Sequence, residues 1–209
     1  MVRKLAEVLT SPDDGTAAFR ADSVQVLVDP ESTVELVDVV RRAGDRARDT
    51  MLFFYAGNGV RHERLVKSGA LKTVAEAVSA GVAARAVVIL DGANEHWFTR
   101  LAPDSFVLAG SSFGSGDQLE GFADNLVAGL ECGVCDGPDA LDLLTLRDVV
   151  EAQFACRRYF VEADWVTGPA SLTVHCPENY RPVALGVNRS TGNSGMYRDS
   201  AAVNDALGW

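Results

Sequence analysis

Residues that could do chemistry follow three apolar runs of the sequence. Gly57-Asn58-Gly59 follows MLFFYA, residues 91–96 (DGANEH) follow AVVIL, and residues 110–116 (GSSFGSG) follow SFVLA. Glycine permits tight turns and close approach of a ligand, and the Asn, Asp, His and Ser side chains supply hydrogen-bonding or titratable groups. If the three runs are parallel strands, their carboxyl ends share the edge where open α/β sheets bind ligands. We therefore predict a binding cleft formed by Asn58, Asp91, Asn94, His96, Ser111 and Ser112.

A serine hydrolase site is one chemistry that these residues could support. Ser111 or Ser112 would be the nucleophile, and His62 or His96, both expected on loops at the same edge, would be the base. The run GSSFGSGD could instead hold a phosphate with its backbone N–H groups, but it lacks the Gly-Lys-Ser/Thr ending of a P-loop. The spacing establishes neither site, and we predict no cofactor.

The cysteines are the candidates for metal ligands. Cys132 and Cys135 form a CxxC pair, and Cys156 and His175-Cys176 follow, which is enough donors for a zinc site. The later pair is not a second CxxC, however, and Cys156 falls within a helical pattern where a small apolar residue would serve. We therefore expect free thiols, a structural His175, and no metal site.

The elements that position these residues are indicated by hydrophobic periodicity. Short β-branched or aromatic runs alternate with helical patterns, which predicts an α/β fold with a mostly parallel sheet. MLFFYA and AVVIL are expected to be adjacent parallel strands in the sheet interior. The predicted strands are Val24–Val28, Met51–Ala56, Ala86–Leu90, Phe106–Ala109, Leu172–Val174 and Val183–Val187. The predicted helices are Val2–Leu9, one capped by Ser32 or Thr33, Leu71–Val82, Gln118–Leu130 and Leu146–Tyr159.

Composition limits the domain organisation and the class of partner. At 209 residues the chain accommodates one domain, which we place at 1–188 with a loose tail at 189–209. A net charge of −10 argues against nucleic acid, because phosphate binding needs clustered cations. The one basic cluster, Arg41 to Arg48, contains Asp45 and is expected to be a solvated helix face. No apolar run reaches the length of a membrane span and no signal peptide is evident, so we expect a cytoplasmic protein with no membrane contact.

Several elements resemble, in the same order, the bacterial caspase-like family of the actinobacterial and metacaspase-like type. DTMLFFYAGNGV is similar to the family's strand that closes on a Gly-His-Gly turn, and RAVVILDGANEHW to the strand that leads to its catalytic cysteine. VQVLVDPESTVELVDVVRRAGDRARDT, FVLAGSS and DGPDALDLLTLRDVVEAQ resemble other elements of these proteins. The resemblance covers roughly Val2 to Gln153. It implies a three-layer α/β sandwich with a mostly parallel central sheet, the caspase-haemoglobinase-like fold.

Both catalytic positions of that family differ in this chain. Asn58 stands at the position of the histidine and Ala93 at that of the cysteine. Asparagine takes up no proton at neutral pH and alanine offers no nucleophile. The resemblance therefore implies a catalytically inactive pseudo-protease that acts as a binding or regulatory partner, with an active homologue as one candidate partner. The alternative is an enzyme, a hydrolase or another class, that has rebuilt the same cleft with non-cysteine chemistry.

Asp91 matches an acidic residue that, in metacaspase-like relatives, helps to form a pocket for a basic side chain. Here it could bind an Arg or Lys side chain, or it could only cap the turn, and we favour the second interpretation. Further departures at Gly92 and in the missing strand make natural divergence a better explanation than engineered substitution of Asn58 and Ala93.

The resemblance also implies a gap in the sheet. Relatives begin with an apolar strand before the first helix, whereas this sequence starts at that helix, and the span Arg61–Ala70 is short. A central strand that is lacking leaves unpaired backbone groups, which must find other partners. We expect the gap to be closed by Ser171–Cys176 or by strands of a second subunit, so a protein partner or a homo-oligomer is predicted.

Overall fold

The computed structural model describes residues 2–10, 18–57, 69–92, 96–110, 122–134, 137–160 and 172–187. In these ranges the helices are α1 (Val2–Thr10), α2 (Thr33–Arg46), α3 (Ala70–Ser79), α4 (His96–Leu101), α5 (Phe122–Cys132) and α6 (Leu143–Phe160), with a short 3₁₀ helix at Ala21–Ser23. The strands are β1 (Thr50–Ala56), β2 (Arg85–Asp91), β3 (Phe106–Gly110), β4 (Ala140–Asp142), β5 (Leu172–His175) and β6 (Ala184–Val187). Strands and helices alternate along most of the chain, as the sequence pattern predicts.

The larger sheet has the strand order β1-β2-β3-β5. β1, β2 and β3 run parallel to one another, and β5 pairs with β3 in the antiparallel direction. β4 and β6 form a separate antiparallel pair. The prediction of an α/β protein with a mostly parallel central sheet is confirmed, whereas the caspase-haemoglobinase-like assignment stays a prediction.

Burial of β2 on both faces explains why this strand is uniformly apolar. Val87 and Ile89 pack into one hydrophobic core with α1, α5 and α6, whereas Val88 and Leu90 pack into a second core with α2, α3 and α4. All four side chains are at most 1% exposed. Because successive side chains of a strand point to opposite faces, a run of apolar residues is what two covered faces require.

The amino ends of β1 and β2 are held by a contact between Asp49 and Arg85. The backbone N–H of Arg85 donates to the carbonyl oxygen of Asp49 at 2.9 Å, and its guanidinium donates to the Asp49 carboxylate and to the carbonyl oxygen of Pro182. The hydrogen bond from Arg85 holds the pKa of the Asp49 carboxyl below its usual value, with a smaller contribution from the Thr50 hydroxyl. The contact fixes the register in which Thr50 lies opposite Arg85.

Helix α2 begins at the cap that the sequence predicts. Ser32 is the N-cap, and its side chain accepts a hydrogen bond from the N–H of Glu35 at 3.2 Å. The Glu35 carboxylate in turn accepts from the N–H of Glu31 at 2.9 Å. This exchange satisfies donors that a helix start leaves unpaired. The basic residues of the Arg41–Arg48 segment are exposed, so the predicted solvated face is confirmed.

The prediction of a strand at Val24–Val28 is wrong. This segment is not part of either sheet, and Val26 and Val28 are 41% and 54% exposed. Local β propensity is weak evidence for a strand because pairing depends on a neighbour elsewhere in the sequence. Within the described ranges no strand pairs with this segment.

The positions of β1 and β5 also differ from expectation. β1 pairs with β2 as predicted, but it lies at an edge of the larger sheet rather than in its interior. β5 is at the opposite edge, next to β3. The prediction that Leu172–Val174 forms a strand of the sheet is confirmed. That this strand replaces one missing from the sheet stays a prediction.

Three short elements were not predicted, namely the 3₁₀ helix Ala21–Ser23, helix α4 and strand β4. β4 lies in a segment expected to be a loop, and it pairs with β6 through a register shift between Leu141 and Asp142. The proposed domain boundary stays a prediction, because residues 188–209 lie outside the described ranges. No helix in the part of the chain that the structure describes is long and apolar enough to cross a membrane.

Substitution of Gly110 by alanine is expected to destabilise the protein. A Cβ atom at this position would lie 2.5 Å from ring atoms of Phe122 and 2.9 Å from its Cβ, so a fully buried residue would have to move. Overpacking of this kind costs about 1–3 kcal/mol. We expect Gly110→Ala to lower the free energy of unfolding by that amount in urea titrations.

Gly129→Ala is the matched control. Its Cβ would approach only the end of the Leu146 side chain, at 3.2 Å. Alanine is also the better helix former, by about 1 kcal/mol, so this variant should be neutral or more stable. Equal stability of the two variants would contradict the packing described at Gly110.

Candidate functional site

The carboxyl ends of the three parallel strands are level with one another. Ala56 of β1 lies opposite Asp91 of β2, and Asp91 lies opposite Gly110 of β3. The pairing continues one residue further, since the N–H of Gly57 donates to the carbonyl oxygen of Asp91 at 3.2 Å and the N–H of Gly92 donates to that of Gly110 at 2.9 Å. The three chain segments predicted to form a cleft therefore leave the sheet side by side.

Glycines are required at this edge for specific reasons. Gly92 has a φ of 76°, in the left-handed region that favours glycine. A Cβ at Gly57 would overlap the ring and hydroxyl of Tyr55. Burial raises the pKa of the Tyr55 hydroxyl above its ordinary value. Gly57 and Gly92 thus serve the close packing and the turn of the strand ends.

Asp91 is the carboxylate at the centre of this edge. It is only 7% exposed and has interaction partners in the structure. Alternation along β2 places it on the same face as Val87 and Ile89, which face the core formed with α1, α5 and α6. A side chain this buried offers a ligand little access. Its burial favours a structural role over a pocket for a basic side chain.

His96 is exposed and is the first residue of α4, not a loop residue as the sequence suggested. Its ring lies 5.2 Å from that of Trp97, in an edge-on arrangement. The helix is anchored by Phe98, which is fully buried and stacks on Phe53 with ring centroids 5.9 Å apart. Sequence reasoning missed α4 because six residues are too few to show a clear helical period.

The other predicted site residues lie outside the described ranges. They are Asn58, Ala93, Asn94, Ser111 and Ser112. The structure brings together the strands that precede them, and it describes Asp91 and His96. The cleft as a set of six side chains stays a prediction.

The cysteine and histidine candidates for metal binding are dispersed where they are described. Cys132 and Cys176 are exposed free thiols. His175 shares a hydrogen bond between its Nε2 and the carbonyl oxygen of Pro103 at 2.9 Å, which agrees with the structural role expected for it. Over the described ranges, no three His, Cys, Asp or Glu residues are grouped so that they could hold a metal ion.

A groove lies beside β1, and its position was not predicted from the sequence. It has a volume of about 1160 Å³ and lies between α1, α2, β1 and the extended segment 24–29. The position of such a groove depends on the order of strands in the sheet, which is not visible in the sequence.

Comparisons of this chain with protein-family models, with curated proteins and with solved structures found no match. The caspase-like resemblance therefore depends on the motifs in the sequence and stays a prediction.

Substitution of Asp91 separates its structural interpretation from a functional one. If the buried carboxylate stabilises the strand ends, Asp91→Ala should lower the free energy of unfolding by about 1–3 kcal/mol, because its interactions would be lost. A carboxylate kept for ligand binding would instead leave stability unchanged or raised on removal. Asp38→Ala, at an exposed position of α2, is the control and should change stability by less than about 0.5 kcal/mol.

Proposed function

We propose that this chain is a non-catalytic binding protein of caspase-like architecture that acts on a protein partner, with an active homologue as one candidate. The observation that carries the proposal is the level ending of β1 and β2. Ala56 and Asp91 are register partners, and positions 58 and 93 each stand two residues further along the chain. They are the positions that the resemblance assigns to the base and the nucleophile.

The residue types at these two positions support a loss of catalysis. A cysteine protease needs a thiolate to attack the peptide carbonyl and an imidazole to accept the thiol proton. Asn58 supplies an amide and Ala93 a methyl group. Neither substitute can form a covalent bond to a substrate or carry a proton, so the proposal excludes cleavage by the caspase mechanism.

The burial of Asp91 also supports the proposal that the chain is not catalytic. In metacaspase-like relatives the matching acidic residue helps to bind a basic side chain of the substrate. In this chain the residue is almost fully buried and faces a hydrophobic core. A chain that has lost both catalytic groups has no need for a substrate pocket, and a structural carboxylate is what then remains.

We expect no cleavage of peptide reporters with Arg, Lys or Asp before the scissile bond. The purified chain at micromolar concentration should release no more fluorophore than buffer alone, because the nucleophile and its base are absent. The matched control is Asp38→Ala, which should give the same baseline.

Turnover above that baseline would contradict the proposal. Turnover that resists iodoacetamide and is abolished by Ser111→Ala or His96→Ala would identify an enzyme with a rebuilt serine site. Turnover abolished by iodoacetamide would identify one of the four cysteines as a nucleophile at another place. In either case the chain would be an enzyme and not a pseudo-protease.

A further inference from the structure

The edge of β1 that faces away from β2 borders the groove. β2 pairs with the other edge of β1 from Thr50 to Ala56, and within the described ranges no strand pairs with the edge at the groove. In a parallel ladder, alternate residues direct their N–H and C=O groups to one neighbour and the intervening residues direct theirs to the other. Among the described residues, the groups of β1 that point into the groove therefore have no strand to bind.

The extended segment Val24–Val28, which we call the strap, lines the same groove. Its five residues (VQVLV) carry no charge and include three valines, which favour strands because they are β-branched. Leu27 packs against the core formed with α2 and α3, whereas Val26 and Val28 are 41% and 54% exposed. The strap thus has the composition of a buried strand without the pairing that a strand requires.

The positions of the helices indicate which edge of the sheet suits the strap. Helix α3 lies between β1 and β2 in the chain, α4 lies between β2 and β3, and both helices pack on the same face of the sheet. Helix α2 precedes β1 and packs on that face as well. Because crossovers between parallel strands are almost always right-handed, helices on one face connect strands that follow one another in one direction across the sheet. A strand before α2 is therefore expected beside β1 on the side away from β2, where the groove lies.

We propose that the strap closes the groove by pairing with β1 as a parallel strand. The open form is the structure described above, and the closed form has the strand order strap-β1-β2-β3-β5. Closure gives hydrogen-bond partners to the outer edge of β1. It also excludes any other chain from that edge, so the strap controls whether β1 is available for pairing. This inference goes beyond the proposed function and holds whether or not the chain is caspase-like.

The closed form would bury the two exposed valines. Because successive side chains of a strand point to opposite faces, Leu27 faces α2 and α3, and Val26 and Val28 face the other side. Helix α1 covers that side, and its Leu5 and Leu9 line the groove together with Val26. Removal of the valine side chains from water favours closure, and the backbone hydrogen bonds to β1 add to it.

Both ends of the strap are held in the open form, so closure is a movement of the residues between them. At the amino end the N–H of Ser23 donates to the carbonyl oxygen of Arg20 at 2.9 Å. At the carboxyl end Asp29, with a φ of 49°, turns the chain, and Ser32 caps α2. A segment with two fixed ends has less conformational freedom to lose on closure than a free chain end has.

Hydrogen exchange of the full chain, followed by NMR at each amide, tests the proposal. We expect partial protection at alternate amides of the strap and at those amides of β1 that point away from β2. Both sets should show the same protection factor, because one closing event protects both. The amides of β1 that bind β2 should exchange at least about tenfold more slowly, since they stay paired when the strap opens.

Two valine variants separate closure of the strap from general stability. Val26→Asp places a carboxylate on the face that closure buries, whereas Val34→Asp places one at an exposed position of α2 that does not line the groove. Both side chains are exposed in the open form, so both variants should fold. Val26→Asp should return the strap and the outer amides of β1 to the exchange rate of unprotected amides, because burial of an unpaired charge opposes closure. Val34→Asp should leave the exchange rates of both sets within about twofold.

Four results would overturn the proposal. Absence of protection in the strap would show that the closed form does not occur, and protection as strong as that of the amides bound to β2 would show a permanent strand. Unequal protection of the strap and the outer edge of β1 would show that they do not close on each other. An equal effect of the two aspartate variants would show that closure does not bury Val26. None of these results changes the expected outcome of the cleavage assay, so the two proposals fail separately.

Discussion

The pairing of β2 with β1 on one side and β3 on the other is the interaction on which the rest of the structure depends. A strand with both backbone edges paired can lie between two layers of helices at little cost, whereas unpaired buried backbone groups cost about 1–3 kcal/mol each. With the edges of β2 satisfied, the side chains from Val87 to Leu90 can be buried on both faces. These side chains hold the two cores, and through them the helices, against the sheet.

The same pairing determines which chain segments lie together at the carboxyl ends of the parallel strands. Because Ala56, Asp91 and Gly110 are register partners, the three following segments begin at one level. Gly110 has to be a glycine because the ring of Phe122 lies against its backbone. Gly57, Gly92 and Gly110 are thus explained by packing or backbone conformation, and they are not by themselves evidence of catalysis. The residue types at 58 and 93 are the stronger functional evidence.

The buried parts of the fold were predictable from the sequence, and the edges were not. MLFFYA and AVVIL could be predicted as strands because burial on both faces requires uninterrupted apolar residues. The start of α2 could be predicted from Ser32 because a helix cap is a local interaction. Val24–Val28 has the same local character as a strand, but whether it pairs depends on a neighbour distant in the sequence. The cleft residues could be proposed from their place after the strands. The burial of Asp91 could not, because it depends on the tertiary packing around the carboxyl end of β2.

The two edges of the larger sheet meet the problem of unpaired backbone differently. Exposed edges are templates for pairing with other chains, and proteins limit them with short strands or charged side chains. β5 is a four-residue strand at one edge, and its His175 is bonded to the carbonyl oxygen of Pro103. β1, at the other edge, has seven residues and no charged side chain. Helices α1 and α2 pack on the two faces of the sheet. A long apolar strand of this kind lacks both the short length and the charged side chains by which edge strands limit pairing with other chains.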